Sequence, residues 1–153
     1  MRIRTYVRRS RIAAPVERVF AWHALPRALE ALIPPGDPVR LLSRTGGLET
    51  GAVAVLAIGY GPLCIQWVAV HRDYIANRQF RDVQVKGPFA HWVHTHRFEP
   101  DGAEACFLED HVEYALPLSW LAEPLAGAAV RRRIDRLFAY RHEATARGVL
   151  GTP

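Results

Sequence analysis

Cysteine is scarce in this chain, and the other absences are as informative. Only Cys64 and Cys106 occur, with no Cys-x-x-Cys spacing. That excludes a disulfide scaffold or a zinc ribbon and leaves both as reduced core residues. No run of eighteen apolar residues occurs, so no stable membrane insertion is expected. The opening MRIRTYVRRSRI lacks an apolar core of signal-peptide length, and a cytoplasmic protein is expected. There is no Gly-rich phosphate loop, no nucleophile with an oxyanion-hole motif, no internal repeat and no low-complexity tract. Lysine is nearly absent too: the net charge of +5 rests on arginine, at Arg2, Arg4, Arg8, Arg9 and Arg11 and again at Arg131, Arg132, Arg133 and Arg136. No nucleic-acid-binding motif accompanies these residues and no aromatic interleaves the second cluster. A solvated arginine-rich surface is expected, with no nucleic-acid partner.

What is present is a globular composition. The 153 residues are 50% hydrophobic and 23% charged, which fits one domain over 1–153. A chain of that size buries about 68–70% of its unfolded surface and needs neither disulfide nor metal for stability.

Residues 2–12 alternate as a strand, with Tyr6 and Ile12 on one face and Ile3 and Val7 on the other. Pro15 opens a helix in which Val16, Val19, Phe20 and His23 recur at helical spacing, and Pro26 opens a shorter one with Leu29, Leu32 and Ile33. After Pro34-Pro35-Gly36-Asp37-Pro38, short apolar runs punctuated by Gly, Pro, Asn and Asp predict strands over 39–44, 51–58, 63–73, 78–86, 89–98 and 104–115. A final helix is expected from about Pro124 to Gly148. Its apolar stripe is Ala126, Val130, Ile134, Leu137, Phe138, Ala144 and Thr145, opposite Arg132, Arg136, Glu143 and Arg147. Arg141 falls in the middle of that stripe. The order β-α-α-β6-α is an α+β pattern: a seven-stranded antiparallel sheet with one long helix to cover it. A strongly curved sheet around one helix leaves a hollow, the natural place for a ligand.

The stretch Asn77–Pro100 concentrates the unusual polar residues. Trp92, His94, His96 and Phe98 share one strand face, as do Phe80, Asp82 and Gln84 on the strand before. A three-residue loop, Lys86–Pro88, turns both sets to the same side and pairs Asp82 with Trp92 and Phe80 with His94. Asp82, His94, His96 and Asp110 are expected to face the hollow, and Arg81, Thr95 and Arg97 to face away. His23, His91, His111 and His142 are expected at the surface.

The opening RRSRIAAPVERVFAWHALPRALEALIPP is similar to the start of the START/Bet v 1-like superfamily, also called SRPBCC or polyketide cyclase/dehydrase-like. FRDVQVKGPFAHWVHTHRF, EDHVEYALP and LFAYRH resemble a narrower bacterial ligand-binding subgroup, and also a domain fused to some epimerase-type sugar-nucleotide proteins. The resemblance spans nearly the whole chain. It implies a helix-grip fold and a cavity for an apolar or amphipathic small molecule. It implies no particular reaction, because the fold hosts carriers, receptors, cyclases and co-chaperones.

The candidate lining is Trp67, His71, Asp82, Gln84, Trp92, His94, His96, Phe98, Asp110, Tyr114, Ile134, Phe138 and Arg141, with Leu108 and Val112 among the apolar positions. Polar groups in an apolar hollow must satisfy one another or await a ligand. Three readings follow. The first is a structural network in which Asp82 or Asp110 pairs with Arg141, with a His in the same network. The second is a binding site in which Arg141 or the histidines fix an oxyanion or hydroxyl. The third is acid–base catalysis of a cyclase/dehydratase type by His94, His96 and Asp82. His94-x-His96 with His71 and Asp82 has metal-ligand chemistry, but His-x-His in a strand is a weak signal, and no metal or other cofactor is expected. A protein-interaction module is the remaining class. It would show a filled groove and an exposed apolar patch rather than a cavity.

Overall fold

Ala14-Pro15 ends the first strand and starts the first helix, and proline and glycine set most later boundaries. The computed structural model describes residues 1–117 and 119–151, with 119–126 described by backbone alone. The elements are β1 (Arg4–Ile12), α1 (Val16–Ala24), α2 (Ala28–Ala31), β2 (Val39–Thr45), β3 (Val53–Ile58), β4 (Ile65–Ile75), β5 (Gln79–Lys86), β6 (His91–Pro100), β7 (Cys106–Ala115) and α3 (Ser119–Leu150), with a 3₁₀ turn at Gly61–Leu63. All seven strands form one antiparallel sheet in the order β1-β7-β6-β5-β4-β3-β2. The expected β-α-α-β6-α order is the observed one. The last helix begins at Ser119, earlier than Pro124, and the stripe position Ala126 lies outside the residues whose side chains are described.

Parity on the central strands is as the alternation requires, but the register is not. Asp82 pairs with His94 and Phe80 with His96, two residues further along β6 than a Lys86–Pro88 loop would place them. Gly87-Pro88 sits inside a longer connection, in which Gln84 Nε2 donates to Phe89 O. A shift of two keeps every side chain on its face. It also sets Asp82 directly beside His94.

The concave face carries two apolar clusters. One gathers Ile12, Val16, Val19, Phe20, Phe80, Phe98 and Leu108 beneath α1, and the other gathers Tyr6, Trp92, Val112, Tyr114, Ile134 and Phe138 beneath α3. Each large apolar side chain so buried contributes about 1.5–3 kcal/mol. Between the clusters, on the same faces of the same strands, lie His94 and His96 of β6 and Asp110 of β7. The polar residues thus form a layer across the middle of the sheet.

Candidate functional site

The polar layer is built by cross-strand pairing. His71 of β4 is opposite Asp82 of β5, Asp82 is opposite His94 of β6, and His96 is opposite Asp110 of β7. Neighbouring strands place such side chains within reach of one another. Asp82 Oδ1 lies 2.8 Å from His71 Nε2, and Asp82 Oδ2 accepts from His96 Nε2 at 3.0 Å. His94 Nδ1 is 3.6 Å from the same Oδ2. Asp110 Oδ1 accepts from His94 Nε2 at 2.8 Å and lies 2.9 Å from His96 Nδ1. Asp110 Oδ2 accepts from His142 Nε2 at 2.8 Å, and His142 Nδ1 is 2.7 Å from Ser10 Oγ.

The two carboxylates differ in setting. Asp110 has a side chain 4% exposed and forms the buried side of the layer, whereas that of Asp82 is 23% exposed and faces the hollow. Burial pushes Asp82 up, but His71 and His96 outweigh it and hold the carboxyl well below its usual range. Burial is likewise outweighed at Asp110 by His96, His94 and His142. Burial alone would discharge His96, yet Asp110 and Asp82 raise it to about 9. His94 goes the other way, to about 4, because burial and the neighbouring His96 charge both oppose its protonation. Adjacent imidazoles are thereby driven apart, one charged and one neutral at pH 7.

Above this layer lies a cavity of about 540 Å³ between the sheet, the α2 segment and α3. Of the residues expected to line it, Trp67, His71, Asp82, Trp92, His94, His96, Ile134 and Arg141 do. Phe98, Tyr114, Phe138 and Asp110, with Leu108 and Val112, are buried behind the wall. Gln84 is held back toward the β5–β6 connection by its bond to Phe89. Leu29, Leu32, Ile33, Leu56 and Leu137 complete much of the apolar surface.

Arg141 is not bonded to either aspartate. Its Nε donates to Leu32 O at 3.3 Å, and its guanidinium lies 5.4 Å from the Phe138 ring centroid. Burial lowers its pKa from the usual arginine value, against the pull of Asp110, Asp82 and Asp37. The expected carboxylate partner is lost because α3 carries two adjacent stripes. Val130, Arg133, Leu137 and Arg141 turn to the cavity, Phe138, His142, Thr145 and Val149 turn to the core, and Ile134 between them borders both. His142, on the core stripe, reaches Asp110 in place of Arg141.

Two of the four histidines expected at the surface are buried, His23 at 6% exposure and His142 at 4%. His23 returns its Nδ1 proton to Val19 O at 2.8 Å within α1, so it can pack against Phe98 and beside His96 without an outside partner. Burial and the His96 charge hold it near pKa 4. Its spacing with Val16, Val19 and Phe20 was the available signal. For His142 it was the i, i+4, i+8 run from Ile134 through Phe138. Ser10 gave none.

A curved antiparallel sheet closed by a long helix over a lined cavity defines a helix-grip protein of the START/Bet v 1 class. The chain belongs to the family described as polyketide cyclase / dehydrase and lipid transport, which matches residues 12–139. No curated protein matches the chain. Among solved structures, norcoclaurine synthase from Thalictrum flavum is 16% identical at a TM-score of 0.72, over 99% of this chain and 96% of that one. The Zhui aromatase/cyclase from a Streptomyces species is 19% identical at 0.66, over 98% and 93%. A nucleoside-diphosphate sugar epimerase from Corynebacterium glutamicum is 24% identical at 0.70, over 92% of this chain but 28% of that one. These likenesses establish the fold. Among the described residues no helix is long and apolar enough to cross a membrane.

Proposed function

We propose that the chain binds a small amphipathic molecule in the cavity. Its apolar body lies against Trp67, Trp92 and Ile134, and a carbonyl, phenol or carboxylate oxygen meets Arg141. Arg141 is the observation that carries this reading. It lines the cavity, commits Nε to Leu32 O, and has no acceptor among the described residues for Nη1 and Nη2. A guanidinium does not shed its charge in a protein, so two charge-assisted donors are left for a ligand. The aromatic molecules dopamine and hydroxybenzaldehyde bound by norcoclaurine synthase are of a size and chemistry that support it. A cytoplasmic setting is proposed with it, since both thiols are unpaired.

The test is binding of anilinonaphthalene sulfonate, an aromatic anion, followed by native mass spectrometry of freshly purified protein for co-purified molecules. Saturable binding should weaken about 10–100-fold in Arg141→Met, the loss of hydrogen bonds from a charged donor. Equal binding by a folded variant, or no saturable binding by the native chain, overturns the reading.

A second reading is catalytic. His96 charged and His94 neutral on one wall supply a proton donor beside an acceptor, the pairing an acid–base cyclisation or dehydration needs. Chemical conversion of the co-purified molecule on incubation with fresh protein would favour it, and recovery unchanged would favour binding alone.

A further inference from the structure

The cavity-facing end of the polar layer is spaced for something larger than a proton. Asp82 Oδ2 is 3.0 Å from His96 Nε2 and 3.6 Å from His94 Nδ1. Potential ligand atoms of the three residues all lie within 4.8 Å of one another. A four-coordinate ion with bonds of about 2.0–2.2 Å to nitrogen and oxygen separates its ligands by roughly 3.3 Å. The two distances bracket that value. Of the other ring nitrogens, His94 Nε2 donates to Asp110 Oδ1 at 2.8 Å, and His96 Nδ1 lies 2.9 Å from the same oxygen without making a hydrogen bond to it. A buried carboxylate on the far nitrogen is how metal-ligating imidazoles are fixed in tautomer and orientation. Asp110 is itself anchored by His142, and Asp82 is steadied through its other oxygen by His71 at 2.8 Å.

We propose that Asp82 Oδ2, His94 Nδ1 and His96 Nε2 bind one divalent first-row transition-metal ion, with its remaining coordination open to the cavity. Two imidazole nitrogens and one carboxylate suit Zn²⁺ or Fe²⁺ rather than Mg²⁺ or Ca²⁺, which take shells of oxygen. Three protein ligands leave a position for water or for an oxygen of a bound molecule. His71 and Asp110 are positioning residues in this arrangement. Sequence alone shows only a weak His-x-His. The structure adds Asp110, which fixes the His94 ring by a hydrogen bond and lies against His96. The site is made of side chains only and does not depend on what else fills the cavity.

The experiment titrates the chelator-treated full chain with Zn²⁺ alone and with Co²⁺ alone, by calorimetry and by the visible absorption of Co²⁺. Elemental analysis after dialysis gives the stoichiometry. The expected result is one ion per chain. Zn²⁺ should bind on the order of 100-fold more weakly in Asp82→Asn and His96→Gln, and about 10–100-fold more weakly in His71→Gln. His91→Gln, on the same strand but facing away, should bind as the native chain does. Where a variant does not fold, the native chain still decides. Paramagnetic shifts from Co²⁺ must fall on the imidazole resonances of His94 and His96. Absence of stoichiometric binding at millimolar Zn²⁺, shifts confined to other histidines, or unchanged affinity in folded Asp82→Asn overturns the proposal. Failure of anilinonaphthalene sulfonate to bind would overturn the reading of the cavity and not this site.

Discussion

His142 Nε2 donates to Asp110 Oδ2 at 2.8 Å, joining α3 to β7 through the core. Arg141, one residue earlier, turns to the cavity instead. The helix thus sends one side chain to support the polar layer and its neighbour to face whatever enters the hollow.

Because Asp110 accepts from His94 and His142 and also lies against His96, removing its charge strips the layer of its central acceptor. Asp110→Asn should cost about 3–5 kcal/mol in urea denaturation, the penalty for breaking a buried ion pair from one side. Asp82→Asn should cost clearly less, since that carboxylate is in part open to the cavity. Equal losses at the two positions would contradict this division between a buried support and a cavity-facing group.

The stability of chelator-treated protein should peak near pH 6.5. Burial holds His23 and His94 near pKa 4, against about 6.5 in an unfolded chain. Their contribution is complete above pH 6.5 and is lost as pH falls toward 4. Despite its burial, His96 is raised by Asp110 and Asp82 to about 9. Its contribution is complete below pH 6.5 and is lost as pH rises through 9. Asp82 and Asp110, held low, add to the acid loss as their own range is entered. A thermal midpoint still climbing from pH 7 to pH 9 would contradict the assignment for His96.

Ile134 and Phe138 hold α3 to the sheet, with exposures of 4% and 0%. Phe138 packs on Tyr6 and edge-on to His94. Phe138→Ala should cost about 3–5 kcal/mol. Ile134→Asp should cost at least as much, because its carboxylate would enter the core without a partner. Loss of less than 1 kcal/mol at either site would place the helix away from the concave face.

Much of the fold was legible because alternation and turn residues are local signals. Period 2 sets His94 and His96 on one face, and an odd-length loop at Gly87-Pro88 is needed to bring Asp82 to the same side; that parity holds. The register did not follow, because the Gly87-Pro88 signal marks a connection without fixing its length. Surface or core at His23 and His142 was equally out of reach from residue type. Histidine carries both a polar tip and an aromatic body, and a partner on another element, such as Asp110 for His142, decides which one wins. Arg141 stands out in the sequence as a charge on an apolar stripe. Its target was misjudged, because one helix face looks onto two environments, a packed core and a hollow, and the hydrophobic pattern does not separate them.

The sheet order carries a consequence in time. β2 to β7 are neighbours in sequence and in space, so each strand can pair with the one just made. β1 cannot: Ile12 pairs with Cys106 and Arg4 with Tyr114, so the first of these seven strands has no partner until the seventh exists. Closing so long a loop is the slow part of assembling such a topology. Ser10 arrives with β1, and His142 arrives later still on α3. The histidine–aspartate layer thus draws on β1, β7 and α3 together, and a chain made only as far as β7 lacks the His142 that anchors Asp110.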